Sequence, residues 1–185
     1  MKDEFNDLKE MHVYAWRLIT RGTVDKKSPA RHPTLGTNGV FGMPELRTVV
    51  LRDANEEAAT LEVHTDVESK KVEELRLNPN VGVHIWFPIN KLQVRIKAVS
   101  EIKMGSEVKG QWEKVPNESR VSYGTLPTPG TVIQTSFAYE KPPNVERFCI
   151  IKMNIEEIDL THLGTRHTRA LFEKKNKWCG VWLAP

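Results

Sequence analysis

The sequence predicts an α+β fold, mainly β, in which an antiparallel barrel carries peripheral helices. Seven or so short segments alternate apolar and polar residues with a period of two, the pattern of half-buried strands. Only three stretches have helical spacing, and turn residues punctuate the rest. Many short strands with few helices suggest an antiparallel barrel. At 185 residues, with 39% hydrophobic and 28% charged side chains, the chain has the size and apolar content of one packed domain spanning residues 1–185.

Residues 6–20 place Leu8, Met11, Ala15, Leu18 and Ile19 on one stripe of an amphipathic helix. Asn6 or Asp7 is placed to cap it and Gly22 to end it, so residues 1–22 form an N-terminal helix packed on the barrel. Pro29, Pro33, Gly36, Gly39, Gly42 and Pro44 make the next stretch turn-rich, with room for one short strand near Thr34-Leu35. Asn38-Gly39 is a hairpin-turn signal.

Strands follow over 47–52, 60–65, 81–87 and 92–102. In the last of these, Leu92, Val94, Ile96 and Ala98 share one face, with Gln93, Arg95 and Lys97 on the other. A short helix interrupts them, with Ser69 as N-cap, Val72 and Leu75 inward, and a stop at Asn78-Pro79. One or two short helices surround Trp112 and Val115 and break near Pro116. A loop-rich stretch covers 124–144, and strands return over 146–155, 167–173 and 177–183.

Several function classes find no support. The net charge is only +3 and is spread along the chain, which gives little reason to expect a nucleic-acid or membrane partner. No apolar run exceeds four residues, the length of Val13–Trp16 and Phe148–Ile151, against about 20 for a membrane span. Met1-Lys2-Asp3-Glu4 lacks the apolar core of a signal peptide, so a cytoplasmic setting is expected. Cys149 and Cys179 form neither a CxxC nor a disulfide framework. No HExxH or paired Cys/His spacing predicts a metal site, and GxSxG, GxGxxG and GxxxxGK[ST] are all missing.

The most informative local feature is Glu68-Ser69-Lys70-Lys71-Val72. If Ser69 caps a helix, two lysines lie in its first turn, where the macrodipole already leaves partial positive charge. That placement makes sense when an anion sits there, since a phosphate would use both ammonium groups, the hydroxyl and the free N–H groups together. The plainer alternative pairs Lys70 with Glu73 or Glu74 on an exposed surface, for about 0.2–0.5 kcal/mol. Arg47 and Arg52 bound the most apolar strand, and five residues apart they point to opposite faces. Gln93 has both a donor and an acceptor for a heterocyclic edge. His162, Arg166, His167 and Arg169 form a basic stretch that could close over an anionic ligand.

The order of these pieces resembles a known family. Arg47-Thr-Val-Val-Leu-Arg52, His64-Thr65-Asp66, Glu68-Ser-Lys-Lys71, Asn78-Pro79, Gln93-Val-Arg95 and the terminal Trp182-Leu-Ala-Pro185 are together similar to the pyridoxamine 5′-phosphate oxidase-like, FMN-binding split-barrel family. The resemblance implies a split antiparallel β-barrel that forms a homodimer, with two FMN molecules in grooves between the subunits. It places Arg47, Lys70 and Lys71 at the FMN phosphate, with Ser69 beside them, and His64 and Thr65 along the flavin site. Val49, Gln93, Gln134 and Arg169 complete the implied cofactor set, and Arg52, Ser119 and His167 fall at implied substrate positions.

Departures from the family pattern concern the substrate half. Arg52 stands where authentic pyridoxamine phosphate oxidases carry lysine, and Val115 stands at a substrate-phosphate arginine. Thr165-Arg-His-Thr-Arg169 keeps His167 and Arg169 but displaces the first arginine of the C-terminal motif. The resemblance therefore implies an oxidase-related FMN oxidoreductase acting on another small-molecule substrate. A flavin- or haem-binding module without turnover is the alternative, with His162 or His167 as axial candidates for haem.

Overall fold

The computed structural model describes residues 4–185. Helix α1 spans Leu8–Val24, and its N-cap is Asp7, whose carboxylate accepts from the Glu10 N–H at 2.7 Å. The expected stop at Gly22 is not where the helix ends. Gly22 is buried within the last turn, where an added Cβ would lie 2.6 Å from Ala30. It is small because the following segment packs on it, and residues 1–3 of the expected helix segment lie outside the described residues.

Among the described residues nine strands form one antiparallel sheet: β1 (Thr34–Asn38), β2 (Pro44–Thr48), β3 (Leu51–Asn55), β4 (Thr60–Asp66), β5 (Asn80–Phe87), β6 (Leu92–Met104), β7 (Phe148–His162), β8 (Thr168–Glu173) and β9 (Gly180–Leu183). The main path runs β2-β1-β5-β6-β7-β4-β3, and β8 and β9 continue from β7. Strand β7 is where the barrel splits. One edge pairs along its length with β6, while the other pairs first with β4 through Asn154 and then with β8 from Glu157. The irregularity opposite Lys97/Ala98 lets β7 pass from one half to the other.

The expected strand over 47–52 is in fact two, broken at Val49-Val50. The Val49 N–H donates to the Pro33 carbonyl at 3.0 Å, one rung beyond Thr34 with Thr48, and the chain then changes partner from β1 to β4, which it pairs from Leu51. Arg47 and Arg52 thus sit on separate strands, and the opposite-face argument for one continuous strand does not apply.

Alternation sets the faces elsewhere. In β6, Leu92, Val94, Ile96 and Ala98 are buried, as their spacing predicts. They join Met11, Ala15, Trp16 and Ile19 of α1 in the main core. Helix α2 spans Lys70–Leu77 and buries Val72, Leu75 and also Glu74. Short helices α3 (Lys109–Lys114) and α4 (Asn117–Arg120) cover a smaller core of Val108, Val115, Tyr123, Phe148 and Ile150. Asp66 ties these parts together. Its carboxylate accepts from the Gly124 N–H, the Glu68 N–H and Arg147 Nε, at 2.8, 2.9 and 2.8 Å.

Candidate functional site

Three residues converge where β4 ends and α2 begins. Lys71 Nζ donates to Thr65 Oγ1 at 3.1 Å, and Thr65 Oγ1 lies 3.1 Å from Ser69 Oγ. Ser69 occupies the N-cap position with extended backbone, yet its side chain makes no capping bond, so the first N–H groups of α2 have no side-chain acceptor. Lys71 has no carboxylate within ion-pair distance among the described residues. Burial first, then the Arg47 guanidinium, push its pKa below the usual lysine range, while Glu74 and Asp66 oppose the shift. A half-buried ammonium without a counter-ion, two hydroxyls and an uncapped helix start fit the donor set of a phosphate.

The two lysines are not equivalent. Lys70 keeps 67% of its side chain exposed and lies 3.6 Å from Glu45, not from Glu73 or Glu74. Glu74 instead is fully buried and serves Arg47. Its Oε2 accepts from Arg47 Nη2 at 2.8 Å and from Thr37 Oγ1 at 2.6 Å, leaving Oε1 without a partner. Arg47 Nη1 is also committed, to Thr37 Oγ1 and to the Glu45 carbonyl. Glu74 is therefore not available as the exposed partner of Lys70 that the plainer alternative offers. Thr37 on β1 and Arg47 on β2, distant from Glu74 in sequence, explain why a carboxylate is tolerated there.

His64 and Thr65 are neighbours on β4 and point to opposite faces. His64 packs edge-on against Phe148 at 4.9 Å and lines a cavity of about 220 Å³ with Arg52, Asp53, Glu62, Gln111, Lys114, Val115 and Pro116. Burial, then the Arg52 charge, push His64 down to about 4. Burial, then Asp53, push Glu62 above its ordinary value. The implied substrate residue Arg52 is thus in a real cavity, and Val115 is part of its wall. The nearby Arg120 does not replace the missing arginine. Its guanidinium donates to the carbonyls of Val115, Trp112 and Glu113 and lies over the Trp112 ring at 5.0 Å.

Gln93 and Arg169 occupy a different region. Both flank Thr161 on the outward face of the sheet, since Gln93 pairs with Thr161 across β6–β7 and Thr161 with Arg169 across β7–β8. Gln93 Oε1 lies 3.4 Å from His84 Nε2. His64, by contrast, pairs with Ile150, eleven residues back along β7, a contour of about 36 Å at ~3.3 Å per residue. Val49 has spent its N–H on Pro33, Gln134 is exposed on the 124–144 loop, Ser119 is half-buried on α4, and His167 is exposed in the β7–β8 turn. One chain therefore gathers Arg47, Thr65, Ser69, Lys70 and Lys71, places His64 with Arg52, and holds Gln93 and Arg169 apart from both.

The outward face around Gln93 and Arg169 contains a groove of about 530 Å³. Gly36 and Gly82, a cross-strand pair, floor it, and Leu46, Leu171 and Leu183 line it with Arg95, Asp159 and Arg169. Asp159 was not singled out by the sequence, because nothing local marks it. Burial alone would raise its pKa, but hydrogen bonds from Arg169 and Arg95 outweigh that and lower it.

Comparison with known proteins agrees with this architecture. The family described as pyridoxamine 5′-phosphate oxidase, FMN-binding domain, matches residues 13–103. A pyridoxine/pyridoxamine 5′-phosphate oxidase 2 of Arabidopsis thaliana is 28% identical over 172 residues, covering 83% of this chain and 86% of that protein. Among solved structures, a pyridoxamine 5′-phosphate oxidase-related, FMN-binding protein of Nostoc punctiforme superposes with a TM-score of 0.74 at 23% identity, covering 98% of this chain and 100% of that one. PhzG of Burkholderia lata, solved with tetrahydrophenazine-1-carboxylic acid, superposes with a TM-score of 0.76 at 16% identity, covering 98% of both chains.

Proposed function

We propose, from the premise that this chain is pyridoxamine 5′-phosphate oxidase-like in sequence and a split barrel in fold, that it is an FMN-binding flavoprotein of the oxidase-related kind. The observation that carries this reading is the Lys71, Thr65 and Ser69 cluster at the start of α2, a phosphate donor set in which Lys71 has no carboxylate at ion-pair distance among the described residues. Arg47 adds charge beside that cluster, held in place by Glu74. Bound FMN would supply two-electron chemistry, for which the protein needs no nucleophile of its own.

The site is completed by a second copy of the chain. Gln93 and Arg169 stand too far along β7 from the phosphate cluster to serve the same flavin. In a homodimer they would serve the flavin whose phosphate the other subunit holds. The outward face has the apolar character that association needs, with Leu46 and Val181 exposed around the glycine floor. His64 would border the flavin from the phosphate-holding chain, and Arg52 would face a substrate in the adjoining cavity. With Val115 in place of an arginine there, and Arg120 spent on carbonyls, that cavity suits a substrate other than pyridoxamine 5′-phosphate. The exposed Cys179 and buried Cys149, both free thiols, suit a reducing, cytoplasmic setting. No helix among the described residues is long and apolar enough to cross a membrane.

Haem finds less support, because His162 is buried and meets Phe5 edge-on at 5.1 Å. The test is the visible spectrum of untagged protein purified without added cofactor, followed by chromatography of what acid releases. Released FMN supports the reading. A protein that neither retains nor takes up FMN on titration overturns it. Pyridoxamine 5′-phosphate added anaerobically to the FMN-loaded protein should leave the flavin absorbance unbleached.

A further inference from the structure

Asp159 is nearly buried, at 5% exposure, on the outward face of β7, and it answers two arginines at once. Arg169 grips it in bidentate fashion, Nε to Oδ1 at 3.1 Å and Nη2 to Oδ2 at 2.8 Å. From the opposite side Arg95 Nη2 donates to the same Oδ2. The bidentate grip fixes the plane of the Arg169 guanidinium and leaves Nη1 outside the pair. Three charged groups on one wall of the glycine-floored groove thus sum to a single positive charge.

We propose that Asp159 is a positioning residue for Arg169, fixing the direction of its guanidinium and, by sharing its charge with Arg95, setting how much positive charge the groove presents to the heterocyclic edge of the flavin that Gln93, with its donor and acceptor, suits. This rests on the FMN reading above. Two lines of the structure support it. Arg169 would otherwise be a flexible side chain near the start of β8, and its bidentate bond orders it on the rung that also holds Gln93. Arg95 keeps 49% of its side chain exposed and is next to Gln93 but one, so its main fixed contact is this carboxylate. The reduced flavin is anionic at its pyrimidine edge near neutral pH, so added positive charge favours the reduced form and lost positive charge the oxidised form.

The experiment is redox potentiometry of the FMN-loaded protein and two variants. Asp159→Asn removes the shared negative charge and should raise the ratio of reduced to oxidised FMN affinity by about tenfold. Arg95→Gln removes a positive charge and should lower that ratio. Arg95 is half exposed, so this variant is expected to fold even if Asp159→Asn does not. Asp159→Glu keeps the charge and should stay near the parent. Opposite shifts of the two main variants support the proposal, because a purely structural carboxylate would not produce opposite signs. Unchanged potentials, or shifts in the same direction, in variants that retain FMN overturn this inference alone. A parent protein that takes up no FMN overturns the cofactor reading and this inference with it.

Discussion

Replacing Lys71 with methionine separates phosphate recognition from folding. The methionine keeps most of the half-buried apolar stem and removes the ammonium that donates to Thr65 at 3.1 Å. A charge-assisted hydrogen bond contributes about 1.5–3 kcal/mol. At ~1.4 kcal/mol per tenfold, FMN affinity should fall by about 10- to 150-fold. Riboflavin, which lacks the phosphate, should lose far less. The exposed Lys70 provides the internal contrast, because its charge lies in solvent and faces Glu45 at 3.6 Å. Lys70→Met should cost only a few-fold, in keeping with the small worth of exposed charges. Stability should hold or rise slightly in Lys71→Met, since burial and Arg47 already disfavour the charged lysine. Fluorescence titration with FMN and with riboflavin measures both ratios. Equal losses for the two lysines, or for the two ligands in Lys71→Met, would refute the assignment of the phosphate to this cluster.

Other consequences can be checked independently. His64 has a folded pKa of about 4 against 6.5 unfolded, so the unfolded chain binds more protons between those values. Acidification from pH 6.5 to 4 should therefore cost up to about 3 kcal/mol of stability through this residue. Urea midpoints of the parent and His64→Gln should diverge less steeply with pH in the variant, and parallel slopes would contradict the burial argument. Burial raises the Cys149 thiol to about 11, whereas Cys179 is exposed. Labelling with a thiol reagent at neutral pH should modify Cys179 quickly and Cys149 only after denaturation; rapid reaction of both would show that β7 opens. Leu46 is 71% exposed beside the glycine-floored groove, so Leu46→Asp should leave the circular dichroism intact. The same change should weaken dimerisation at least about tenfold and release flavin. Sedimentation showing an unchanged dimer would place the interface elsewhere.

How much of this was legible depended on whether the cause was local. Strand alternation in β5 and β6 was readable because a side chain's face follows from its position along one strand. The Ser69 start and the Asn78-Pro79 stop of α2 were readable for the same reason. The candidate phosphate donors were visible as two lysines in a first turn. Which lysine faces the hydroxyls was not, because adjacent helical residues diverge by about 100° and the neighbouring strand decides which side is inside. The break at Val49-Val50 was hidden because both residues favour a strand, and it comes from a change of partner, β1 before it and β4 after it, that only the tertiary structure sets. Gly22 looked like a helix terminator until Ala30 packed on it.

The sequence by itself thus determined the mainly β antiparallel class, most element positions and the residue types able to hold a phosphate. These depend on periodicity, capping and side-chain chemistry within a few residues. Tertiary structure alone decided that Glu74 is a buried partner of Arg47, that Asp159 gathers Arg95 and Arg169, and that the predicted site divides between the two parts of β7. Those contacts join residues distant in the chain, and their energies come from desolvation and register, which no local pattern encodes.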